Sequence, residues 1–204
     1  MDTRAIEMAG ASFEVPEYYQ QVQSMPEDPE GSVPLMVQTE SSMCFVLVFP
    51  TGSGDRMPYD QEAVIGGIRE AMADNQGIIE VEADASASSP YVYSIVKDLG
   101  GQDGRPDSLQ YILTMDIGAP NGTVHVQGFF DAIGTTGLRD TLIYSTLRNE
   151  GKVGPDLDGW MRDPYDPEWE YGKPMNLSEQ RCYDALFPDH PLSMARALIE
   201  CMVG

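Results

Sequence analysis

Residues 44–62 read CFVLVFPTGSGDRMPYDQE: an apolar run that breaks at Pro50 into a glycine pair and then takes up a helical pattern. A strand, a glycine loop and a helix are the parts of a phosphate cradle, so the loop has to be tested as one. A Walker loop needs the spacing G-x-x-x-x-G-K-[ST], which lets backbone amides and a lysine meet the phosphates. Here Gly52 and Gly54 are followed by Asp55 and Arg56 with no lysine, and a carboxylate where phosphate would sit is repulsive. The dinucleotide spacing G-x-G-x-x-G fails at Met57, and Ser53 lacks the flanking glycines of a hydrolase nucleophile elbow. The loop therefore reads as a strand-to-helix turn. The run before it, MCFVLVF, has the continuous apolar character of a central strand covered on both faces.

Working outward, Ala11 to Val15, Val33 to Val37 and Ser42 to Phe49 read as strands, with PEDPEG (26–31) as an acidic turn. A helix is expected from Pro58, with Ala63, Val64, Ile65, Ile68, Ala71 and Met72 at spacings of three and four and Gly77 as its left-handed cap. Gly66 and Gly67 inside it suggest a close packing contact. Strands follow at Ile78 to Val81, Tyr91 to Lys97, Leu109 to Met115 and Thr123 to Phe130, joined by the turn-rich segments DLGGQDGRPDS (98–108) and GAPNG (118–122). The alternation in YVYSIVK and TVHVQ marks a sheet with one face toward water. A second helix over Leu138 to Arg148 would turn Leu138, Leu142 and Leu147 inward, with Thr136 as its cap.

Residues 1–150 thus form an α+β domain with an antiparallel sheet flanked by helices, and residues 151–204 a C-terminal extension packing on it. The extension opens with an irregular stretch (153–174) rich in proline and carboxylates and carrying both tryptophans. It closes with two short helical segments, NLSEQRCYDALF and PLSMARALIECM, capped by Asn176 or Ser178 and by Asp189.

The 204-residue chain carries 33 acidic and 12 basic residues, a formal net charge of −21. Nucleic acid and anionic membrane surfaces need clustered cations and are poor partners for it. A basic protein or a cation suits it better, and the charge also serves solubility. No stretch reaches the ~18 apolar residues of a membrane helix. Glu7 and Glu14 interrupt any signal-peptide core, which makes the cytoplasm the expected location. Cys44, Cys182 and Cys201 are too scattered for a disulfide framework or a zinc site, and the sequence leaves open whether Cys182 and Cys201 pair.

His125 and His190 are the two histidines. His125 shares its strand face with Thr123 and Gln127, opposite Val124 and Val126, and is expected to face solvent. His190 with Ser193 and an aspartate would be needed for a hydrolase triad, but a chain this acidic offers many such combinations. Carboxylates at Asp156, Asp158, Asp163, Asp166, Glu168 and Glu170 offer oxygen ligands, yet the EF-hand spacing is not met, and no cofactor is implied. Trp160, Tyr165, Trp169 and Tyr171 must either pack back on the domain or face a partner, and they are the candidate partner-binding residues.

The opening ASFEVPEYY, the helix after GDRMPYDQEAVIGGIREAM and the ending FFDAIGTTGLRDTLIYSTLR follow an order of elements. Over residues 8–150 that order resembles the α/β sandwich of the Mog1 and PsbP group, to which the bacterial DcrB-like proteins belong. The resemblance implies a non-enzymatic binding or accessory protein, chaperone-like in some members, acting through protein contacts, with no shared catalytic residues to carry over. Two other readings stand beside it: a small hydrolase or acid-base enzyme using carboxylates with His190, and a structural homo-oligomer. A buried His190 bonded to a carboxylate beside a pocket favours the enzyme, and an open sheet face favours the binder.

Overall fold

The computed structural model describes residues 2–52, 54–100 and 108–204. Ser53 of the glycine loop and most of the expected 98–108 turn lie outside them.

Two strands, β1 (Thr3–Met8) and β2 (Ala11–Pro16), form a hairpin of their own. The other seven make one antiparallel sheet: β3 (Gln20–Gln21), β4 (Val33–Gln38), β5 (Ser42–Thr51), β6 (Gln76–Asp84), β7 (Tyr91–Leu99), β8 (Leu109–Ala119) and β9 (Gly122–Ala132). Their spatial order is β3-β4-β5-β9-β8-β7-β6. The chain thus builds an antiparallel α+β sandwich, with α1 (Gln61–Ala71) between β5 and β6, α2 (Leu138–Asn149) after β9, and α3 (Pro191–Val203) at the end. No helix among the described residues is long and apolar enough to cross a membrane.

The sheet has two unlike faces, because side chains alternate along each strand. One carries Leu35, Cys44, Val46, Val48, Leu113, Met115, Val126 and Phe130, all fully buried. The β1–β2 hairpin and α3 cover this face, with Phe13, Val15, Leu198 and Ile199 closing the main core. On the other face α1 covers only the β6–β7 end, where Val64, Ile65 and Met72 meet Ile78, Val81 and Val92.

Several expectations change in detail. Helix α1 starts at Gln61, not Pro58, because Asp60 takes the N-cap and accepts from the Ala63 amide at 2.9 Å. It ends at Ala71, and Gly77 is a strand residue. A Cβ on Gly77 would fall 1.7 Å from the Lys173 carbonyl oxygen, so the glycine is there to let the extension approach. Gly66 and Gly67, by contrast, have nothing within 4 Å of a built Cβ and mark no close contact.

Helix α2 is capped by Gly137 in the left-handed region rather than by Thr136. Its buried stripe is Arg139, Ile143 and Leu147, while Leu138 and Leu142 are exposed. The segment NLSEQRCYDALF is not an α-helix but two 3-10 turns, Leu177–Glu179 and Arg181–Leu186. Asn176 caps the first with a reciprocal capping box, as expected of it. His190, not Asp189, caps α3, accepting from the Leu192 amide. All three cysteines are free thiols, so Cys182 and Cys201 do not pair.

Candidate functional site

The part of the sheet that α1 leaves uncovered is the candidate site. Strand register places Met36, Phe45, Phe129, Ile112 and Val96 in one row across β4, β5, β9, β8 and β7. The row ends at Ile78, which is buried beneath α1. From there toward β4 the cover thins: Val96, Ile112, Phe129 and Phe45 are half-buried, and Met36 is 37% exposed. Along β5 the outward positions are Met43, Phe45, Leu47 and Phe49, where an antiparallel strand facing water ordinarily alternates to polar residues. The run MCFVLVF therefore has the composition of a strand buried on both sides, while among the described residues its outward side chains at Phe45, Leu47 and Phe49 stay partly exposed and Met43 is 38% exposed.

Polar rows border the apolar one. On one side Asp131 and Asp98 flank Gln110, whose amide donates to Asp131 at 2.7 Å. On the other, Gln127 faces Thr114 and donates to the Leu113 carbonyl at 3.0 Å. One row further, Asp116 accepts from His125 Nδ1 at 2.7 Å and from the Met57 amide at 2.7 Å. His125 does lie on the outward face, but Phe49 at 4.9 Å and this carboxylate leave its side chain only 19% exposed. Neither Lys nor Arg stands at an outward position of β4, β5, β9, β8 or β7. Among the described residues the face offers apolar area edged by carboxylates and amides.

His190 has a different role from a triad base. Its Nδ1 accepts from Leu192 N at 3.3 Å and from Arg139 at 3.4 Å, so the ring proton sits on Nε2. Burial, with the Arg139 and Arg196 cations beside it, pushes its pKa down to about 3, and the ring is neutral at neutral pH. Ser193 Oγ donates to Asp184 at 3.0 Å and accepts from Arg139 at 2.9 Å, so it makes no pair with His190.

These residues belong to a buried polar network that fastens the extension. Arg139, 2% exposed, also donates to the Ser178 and Gln180 carbonyls and to Asp184. Arg196 bridges Glu80, Asp184 and the Glu179 carbonyl. Lys97 pairs with Glu179 at 2.9 Å, and that carboxylate accepts from Tyr111 and from the Asn176 amide as well. Ser178 donates to Asp140. Around Glu80, burial opposes ionisation, but bonds from Arg181 and Tyr93 and the Arg196 charge outweigh it and hold the carboxyl below its usual range. Nothing in the local pattern of α2 signals a buried arginine; its partners lie 39 to 54 positions away.

The aromatic set of the extension mostly turns inward. Trp160 is buried with Ile143, Leu147 and Val153, edge-on to Tyr144 at 5.2 Å. Tyr165 packs at the α1 end of the sheet, where its hydroxyl donates to the Val81 carbonyl at 2.9 Å. Trp169 packs under the Arg69 guanidinium at 4.4 Å, and Arg69 in turn donates to buried Asp163 at 2.8 Å. Tyr171, 50% exposed, is the one of the four that keeps half its surface in water. Asp163 also accepts from the Tyr165 and Asp166 amides, so it orders this loop. Among the described residues no group of three or more His, Cys, Asp or Glu is arranged to hold a metal ion.

No protein-family model matches the chain, and no curated protein matches it. Among solved structures, that of the Saccharomyces cerevisiae Ran-binding protein Mog1p is similar at 13% identity, covering 71% of this chain and 84% of that one with a TM-score of 0.44. A mutant of protein Mog1 is similar at 12% identity over the same shares, with a TM-score of 0.43.

Proposed function

We propose that this protein is a non-enzymatic binding or accessory protein that docks another protein on the open face of β4, β5, β9 and β8. The row Met36, Phe45, Phe129 and Ile112 is the observation that carries the reading. An apolar row left partly in water is costly to a monomer and becomes favourable once a partner covers it. The partner is cationic around an apolar centre, since the face is edged by Asp131 and Asp98 and the chain carries −21. The same charge argues against the homo-oligomer, in which two such faces would meet like against like. The hydrolase reading loses its support in the bonds of His190 and Ser193 described above.

The test is a photo-crosslinking amino acid placed at Phe45 or Phe129 and, as a control, at Glu62 on the exposed side of α1. The reading expects one heterologous basic protein to crosslink from the two sheet positions and not from the control. That protein, purified, should then bind the unmodified chain more weakly as salt rises. Equal capture from all three positions, or crosslinks to copies of this chain alone, would overturn it.

A further inference from the structure

The outer edge of β4 carries a second feature, distinct from the open face. The two-residue β3 pairs only with its first part: Gln20 opposes Met36, Gln21 opposes Leu35, and the Val22 amide donates to the Pro34 carbonyl at 3.0 Å. Backbone groups point alternately to the two sides of an antiparallel strand, so Pro34, Met36 and Gln38 face outward. The Thr39 amide, which donates inward to Ser42 at 2.8 Å, fixes the same phase. Gln38 is therefore the first outward position past the end of β3, and no backbone partner is recorded for it among the described residues.

Beside this free edge lies a cleft of about 850 Å³. Tyr18, Val22 and Met36 line it on the strand side, and Met194 and Ala197 of α3 line the other. Its cation, Arg196, is 3% exposed and already spent on Glu80, Asp184 and the Glu179 carbonyl. Asp189 and Glu200 also stand in its lining.

We propose that this cleft takes an extended, lysine- or arginine-bearing segment of another protein as an added strand continuing the line of β3. Its backbone bonds the Gln38 N–H and C=O, and every second side chain enters the apolar cleft. A lysine or arginine among them reaches the Asp189 and Glu200 carboxylates of the lining, and the intervening side chains point away from the cleft. An added strand from a second copy of this acidic chain would meet repulsion instead. The site adjoins the Phe45 face at Met36, and the readouts at Gln38, Tyr18 and Met194 distinguish it from that reading.

The test uses the full chain and four acetylated hexapeptides: alternating Lys and Val, alternating Glu and Val, and the Lys-Val peptide N-methylated on alternate amides in each of the two registers. Amide shifts and fluorescence anisotropy report the binding. The expected result is saturable binding of the Lys-Val peptide at or below on the order of 1 mM, with shifts at Gln38, Tyr18 and Met194. The Glu-Val peptide should bind at least tenfold more weakly, and so should whichever N-methylation register blocks the strand-facing amides. In the protein, Gln38→Pro and, separately, Ala197→Arg should each weaken binding about tenfold or more; Ala197→Arg leaves the β4 backbone untouched. Equal affinity for both N-methylated registers, shifts confined to Phe45 and Phe129, or no binding of the Lys-Val peptide would overturn the proposal.

Discussion

Phe45 and Phe129 stand opposite each other across the β5–β9 ladder, on the side of the sheet that α1 leaves uncovered. Their neighbours in the row continue the apolar character to both sides, with Met36 on one side and Ile112 and Val96 on the other. Beneath them, on the opposite face, Cys44, Val46 and Phe130 are fully buried against α3 and the hairpin. The same strands therefore serve the core on one side and present an unfilled contact surface on the other.

The Lys97–Glu179 pair holds the extension to the sheet, with both side chains almost fully buried. Removing one partner of a buried pair strands the other charge, so Lys97→Met should cost about 3–5 kcal/mol. The denaturant midpoint should fall accordingly, and Lys97→Met combined with Glu179→Leu should recover part of the loss. A single variant within about 1 kcal/mol of the parent would show that the pair is not the lock described.

Two glycines in neighbouring elements should respond in opposite directions. Gly67→Ala in α1 meets open space and should stabilise by about 0.5–1 kcal/mol through helix propensity. Gly77→Ala drives a methyl into the Lys173 carbonyl and should destabilise by about 2–4 kcal/mol. Thermal unfolding of the two variants side by side decides both.

Acid should weaken the fold through His190. Its folded pKa of about 3 lies below the unfolded value of 6.5, so below pH 6.5 the unfolded chain binds a proton that the native chain refuses. Stability is full above pH 6.5 and is lost as pH falls toward 3, at no more than about 1.4 kcal/mol per pH unit from this group. The groups facing the ring are Arg139 from α2, Arg196 from α3 and Tyr111 from β8. His190→Asn keeps an N-cap acceptor for Leu192 and should flatten the slope between pH 4 and 6.5. Glu80 acts in a lower window: its carboxyl is held below 4.5, so its contribution is present above that pH and is lost as pH falls further. An unchanged slope in the asparagine variant would assign the acid sensitivity elsewhere.

Much of the sheet was legible because alternation and turn residues are local signals. The strand positions from Val33 to Phe130, the Pro120-Asn121 turn and the Asn176 cap all follow from nearby residues. Strand β1 was not legible: it turns into β2 through Ala9 and Gly10, both at positive φ, and Ala9 is not a residue that advertises such a turn. The buried Arg139, the strand role of Gly77 and the packing of Trp160 depend on partners far along the chain, which no window of periodicity sees. YVYSIVK alternates in sequence, yet Val92, Tyr93, Ser94 and Ile95 are all buried, because α1 and the extension cover β7 on both sides. MCFVLVF asked for two covered faces, yet among the described residues its outward side chains stay partly exposed, and that mismatch is what exposes the site.

The most direct test of the docking face is a calorimetric titration of the crosslinked partner, purified, against the parent chain and Phe45→Ser/Phe129→Ser. Because both rings lie at the surface and are partly exposed, the double variant should remain folded, with its unfolding midpoint lowered. The account predicts that its affinity for the partner falls at least a hundredfold, about 2.7 kcal/mol. A folded double variant that binds the partner as tightly as the parent would contradict it.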